Sequence, residues 1–166
     1  FTVPLHHAIT YVGEVFLTDT YQTQTGQQAT SSPYLHDNFS DMPKVHGTDL
    51  GALVQDRIGM GAKEWFHITP GFRFDYFQRD PHNTASYQAN SGYTGLPHGA
   101  HGSHFSPKVL IEGKVTKDLT LYALYSQAYR APSATEEYLN YSTAPYYQVV
   151  GNPNLKPESS KGWEVG

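Results

Sequence analysis

With 166 residues, a formal net charge of −4 and no cysteine, the chain excludes several chemistries at once. A nucleic-acid partner would want a basic stripe, and disulfides, thiolate metal sites and cysteine nucleophiles need a residue that is missing. The 13 tyrosines, 8 phenylalanines, 15 glycines and 11 prolines, beside only 16% charged residues, favour strands and turns over helices.

Alternation predicts the first strand over 8–19. Ile9, Tyr11, Val15 and Leu17 share one face, and Thr10, Glu14 and Thr18 the other. A second runs over 50–60, with Leu50, Ala52, Val54, Ile58 and Met60 opposite Gln55 and Arg57. The tight turn in GMGAKE leads to a third, over 66–79. There Ile68, Phe72, Phe74 and Tyr76 oppose His67, Thr69, Arg73 and Asp75. Residues 108–116 set Val109, Ile111 and Val115 against Lys108, Glu112 and Lys114. The TKD turn follows, then a strand over 119–130 and the start of a sixth over 161–166.

Long connections over 20–49, 80–105 and 131–160 alternate with the tight turns. In an antiparallel meander this puts every long loop at one end, the habit of outer-membrane barrels. Structureless loops of this length are uncommon in compact soluble domains unless they have a function. The expected class is therefore all-β, an antiparallel up-and-down transmembrane β-barrel segment of about six strands. An ordinary antiparallel sandwich remains the bland alternative. Trp65, Phe66, Tyr76, Phe77, Tyr125 and Tyr129 lie near strand ends and suit interfacial girdles. No apolar run approaches 18 residues, which a barrel does not need. The chain opens without methionine and stops at GWEVG, as if a strand were beginning, so a segment of a longer protein is expected.

Two proline-anchored phrases, YSQAYRAPSATEEYL and GNPNLKPESSKGWEVG, bracket a tyrosine-rich stretch. Pro132 cannot enter a central ladder and stops its strand after Arg130. Asn152-Pro153 and Lys156-Pro157 stiffen the way back. A loop held at both ends loses less entropy on closing over a ligand. These phrases resemble the paired FRAP and NPNL boxes of TonB-dependent outer-membrane receptors, and the flanking strands LGALVQDRIGM and TLYALYSQAYRAP are similar to recurring strands of those barrels.

The resemblance implies that residues 1–166 are part of a barrel of about 22 strands. It also implies a plug domain outside this chain, energy from the TonB complex, outer-membrane lipid as surroundings, and no covalent chemistry or catalytic cofactor. In the haem and haemoglobin branch the boxes flank the ligand loop, which implies haem, free or on a carrier protein, as the transported ligand.

Relatives in that branch place a histidine between the boxes, whereas this chain has none between Pro132 and Asn152. Tyr138, Tyr141, Tyr146 and Tyr147 stand there instead. Tyrosinate is a competent ligand to ferric haem. The expectation is one axial oxygen from Tyr141, Tyr146 or Tyr147, with Tyr138 more a packing residue. His98, His101 and His104 recur every third residue on what reads as a glycine-rich loop, a possible copper or zinc set with His101 in the middle. His36 and His46 have no evident partner, and Glu136 and Glu137, if extended, point apart. No Ser/His/Asp pattern argues for an enzyme. The expected function is haem uptake at the outer membrane. The alternatives are a siderophore or copper receptor and, in another class, an aromatic-rich glycan-binding β-domain.

Overall fold

The computed structural model describes residues 4–25, 39–61, 63–90, 92–143 and 147–166. His36 lies outside them. Six long strands form one antiparallel sheet: β1 (Leu5–Thr20), β2 (Lys44–Met60), β3 (Phe66–His82), β4 (Ala100–Lys114), β5 (Thr120–Arg130) and, after an excursion, β8 (Glu158–Val165). Their order is β1-β2-β3-β4-β5-β8, a meander without crossovers. Between β5 and β8 lie helix α2 (Ala134–Tyr138) and a separate hairpin of β6 (Asn140–Thr143) and β7 (Tyr147–Val150). A short helix, α1 (Ala85–Gln88), sits between β3 and β4.

The register carries the alternation across the sheet. Tyr11 pairs with Val54 and Val54 with Phe72; Ile68 pairs with Ile111 and Ile111 with Ala123. Among the described residues nothing covers this apolar face. Tyr11 is 82% exposed, Trp163 81% and Leu17 76%. Buried apolar residues among those described are few: Met42, Val45, Phe77, Tyr87, Ala100, Ala134 and Tyr138. So small a cluster is no core for six strands in water. Among the described residues no helix is long and apolar enough to cross a membrane.

The opposite face is polar and internally paired. Arg73 reaches Asp75 at 2.8 Å and Glu14 at 2.9 Å, crossing β2 over Gly51. A methyl group at Gly51 would lie 2.6 Å from the guanidinium, which is why glycine stands there. Arg79 binds Asp49 at 2.8 Å. Charges that bind each other across a concave wall fit a wet lumen.

The strands run further than the alternation predicts. β2 begins at Lys44 and β4 at Ala100. Seventeen residues of β3 extend about 55 Å at ~3.3 Å per residue. Tilted at ~40°, that is about 40 Å of height, more than the ~25 Å apolar band typical of outer-membrane barrels. Two aromatics expected in the girdles belong inside. Phe77 is 1% exposed, on the face with Asp75 and Arg79, and Tyr129 packs against the buried cluster.

Candidate ligand-binding site

The two proline-anchored phrases are bound to one another. Pro132 lies two residues beyond Arg130, the end of β5, and the chain turns into α2. Ser133 caps that helix: its hydroxyl accepts from the Glu136 amide at 3.3 Å, and Glu136 accepts from the Ser133 amide at 2.8 Å. Arg130 then forks onto two carboxylates. It donates to Glu136 at 3.0 and 2.9 Å and to Glu158, the first residue of β8, at 3.0 and 3.0 Å. The Arg130 guanidinium, with help from Ser133, holds the Glu136 carboxyl at about 2. One arginine therefore clasps the exit and the return of the loop.

The returning phrase also lies directly on α2. The Asn152 amide donates to the Glu136 carbonyl at 3.0 Å. Asn154 donates its amide to the Asn152 side chain at 2.9 Å, closing an Asx turn before the second proline. Gly151 is in closest contact, since a methyl group there would meet the Glu137 carbonyl carbon and the Tyr138 nitrogen at 2.6 Å.

The inner side of α2 is buried against the wall. Tyr138 is 3% exposed, and its hydroxyl donates toward the backbone carbonyls of Arg79 (3.4 Å) and His98 (3.3 Å). Burial pushes its phenol up to about 12. Glu137 is 1% exposed and neither carboxylate oxygen has a hydrogen-bond partner among the described residues. Burial drives it up to about 7, against the pull of Arg79. Helical geometry thus separates Glu136 and Glu137, one outward on the clasp and one inward, where an extended reading only set them on opposite faces.

Beyond α2 the chain forms the β6–β7 hairpin, with Tyr141 opposite Val149 and Thr143 opposite Tyr147. Diagonal neighbours on one face are Tyr141 and Tyr147, with ring centres 6.3 Å apart at 61°. They are 37% and 61% exposed. Tyr146 lies outside the described residues. The structure therefore brings Tyr141 and Tyr147 together on an open platform and sends Tyr138 into the packing beneath it.

The hairpin is tied to the other long loops. Asn140 donates its amide to the Asp41 carbonyl at 2.7 Å and its side chain to the Gly92 carbonyl at 2.9 Å. Asn90 donates to the Ser40 carbonyl and to Asp41, and Gln24 donates to Asp41 at 2.6 Å. A cavity of about 240 Å³ opens at this junction, walled in part by Tyr87, Leu96, Pro97, Leu139, Val150 and Pro153.

The histidine triplet does not form a set. His101 and His104 belong to β4, and a spacing of three on a strand puts them on opposite faces. His104 faces inward and stacks on Tyr129, while His101 stands outward and exposed, with Gln78 as strand partner. Among the described residues no three His, Cys, Asp or Glu side chains are grouped to hold a metal ion.

The sequence reading missed the Arg130 clasp and the Asp41–Asn90–Asn140 junction. The clasp had one legible signal, the S-x-x-E pattern in SATE that marks a capped helix. The junction joins three loops distant in sequence and had none.

Comparison with known proteins agrees with the fold. Residues 1–166 match the family described as TonB dependent receptor-like, beta-barrel. The chain is 33% identical over 123 residues to the hemoglobin-haptoglobin utilization protein B of Neisseria meningitidis serogroup A, covering 69% of this chain and 14% of that protein. It is 24% identical over 169 residues to a heme/hemopexin utilization protein C of Haemophilus influenzae, covering 97% of this chain and 21% of that protein. The chain thus spans about a seventh to a fifth of these relatives. Among solved structures it is similar to the Serratia marcescens hemophore receptor HasR, a double mutant in complex with its hemophore HasA and heme. The TM-score is 0.59 at 16% identity, over 98% of this chain and 29% of that one. That likeness concerns the fold.

Proposed function

Because the chain belongs to the TonB-dependent receptor-like β-barrel family, we propose that it supplies wall and vestibule to an outer-membrane receptor that binds haem and imports it. The observation that carries the reading is the clasped loop presenting Tyr141 and Tyr147 on one open face where no histidine stands. A hard phenolate oxygen suits ferric haem, and the second ring offers an apolar flank to the porphyrin. Three curated haem-utilization relatives over most of this chain's length support the same ligand class. In this reading residues 1–166 are barrel wall. The barrel has about 22 strands, closed across many transmembrane passes, and a plug domain couples it to TonB. Its partners are haem or a haem-carrier protein and the outer-membrane lipid. The receptor performs no covalent step.

The bare apolar outward face argues against a glycan-binding domain in water, which would cover it. The test is a titration of the detergent-solubilised receptor with ferric haem, followed by absorbance. The expected result is saturable binding with the charge-transfer band of tyrosinate-ligated haem. Saturable uptake of a ferric siderophore with no haem spectrum would instead establish the siderophore reading.

A further inference from the structure

We propose a second, separate site: a bis-histidine seat for a divalent transition metal, built by His46 and His82 on the outward rim of the wall. The sequence left His46 without a partner. In the structure it lies in β2, on the face that carries Leu50 and Val54 deeper in the membrane. His82 ends β3 on the same face, one diagonal step away, because Lys44 pairs with His82 and His46 with Asp80. The two rings lie 4.7 Å apart at 72°.

That spacing matches a chelate. A metal sits about 2.1 Å from each ligating nitrogen, and the ring centre lies about 1.1 Å behind that nitrogen. Each ring centre is then about 3.2 Å from the metal. Two centres 4.7 Å apart subtend roughly 95° at the metal, between the square-planar and tetrahedral angles.

The tautomer is already set. Nδ1 of His46 pairs with the Asp19 carboxylate, its neighbour on β1. A carboxylate behind one nitrogen leaves the other as the lone-pair donor, the usual support of a metal-bound imidazole. Lys44 sits 3.1 Å from the other oxygen of Asp19, so its charge is balanced there. Both histidines are exposed, and water completes the coordination. Two imidazoles with open positions favour copper(II) first, then nickel and zinc. A bound ion would cross-link β2 to β3 where the loops over 21–43 and 83–99 leave the wall.

The test is copper(II) chloride titrated into the detergent-solubilised receptor and followed by electron paramagnetic resonance. One equivalent should show coupling to two imidazole nitrogens. H46Q or H82Q should each abolish that signal, and D19N should weaken its uptake about tenfold. Haem binding, on another element, should stay within twofold in all three variants. A two-nitrogen signal that survives in the H46Q/H82Q double variant would overturn the site. So would a wild-type spectrum with a single imidazole.

Discussion

Arg130 is the residue on which the loop turns. Its fork holds Glu136 and Glu158 with four bonds of 2.9–3.0 Å. Lysine carries the charge but cannot reproduce two forks. We expect R130K and R130Q both to lower haem affinity several-fold, and the R130K affinity to fall further as salt is raised, since the clasp is half exposed. Isothermal titration at two ionic strengths checks this. Gly151 is the second such residue. A methyl group there meets backbone rather than a yielding side chain, so G151A should destabilise the loop by about 1–3 kcal/mol. Amide exchange over 134–150 should quicken in that variant while the strands β1 to β3 keep their protection.

At the scale of the element, α2 is the part most sensitive to pH. Glu137 titrates near 4.5 when unfolded and is raised to about 7 in place by burial, opposed by Arg79 and reinforced by Glu136. Its folded form prefers the proton. The stability this confers is therefore complete below about 4.5 and lost as pH rises through 7. Exchange of the amides over 134–139 should accelerate between pH 6 and pH 8 beyond the intrinsic rate, and E137Q should flatten that excess. A slope unchanged in E137Q would move the effect to another group.

The same element shows what the sequence could and could not disclose. The strands were legible wherever one face is apolar and the other polar, because alternation needs that contrast. Leu50 to Met60 and Phe66 to Tyr76 read correctly for this reason. At the strand ends beneath the loops the inward face is itself buried, with Val45 and Ala100 in the buried cluster, and the contrast disappears. Lys44 to Asp49 and Ala100 to Phe105 therefore read as loop although they are strand. Glycine and histidine in HGAHGSH strengthened that misreading. The hairpin β6–β7 is too short for a period to show. The tyrosine platform was half legible. Its residue type and the missing histidine were on the page, but which rings meet depends on the Tyr141–Val149 register.

At the scale of the molecule, the wall is held by its ladder. Its apolar outward face has no protein cover among the described residues, and Trp163 stands on it 81% exposed beside Tyr125 at 4.6 Å. Brominated acyl chains should quench Trp163 fluorescence strongly in bilayers, and W163F should remove that component. Quenching by an aqueous agent instead would turn the sheet around. The inward face supplies paired charges, and the loops above it form one tied platform through Asp41, Asn90 and Asn140. In the proposed reading, this tied rim around an open pair of phenols is what would receive a flat, iron-bearing ligand.

The most direct test is the haem spectrum of a receptor with phenylalanine at positions 141, 146 and 147. Each change keeps the ring and removes one oxygen, so folding and lipid insertion should persist. The account predicts loss of the charge-transfer band and a fall in haem affinity of at least tenfold, with histidine at the ligating position restoring binding under a shifted spectrum. A triple phenylalanine variant that keeps both the wild-type spectrum and the wild-type affinity would contradict it.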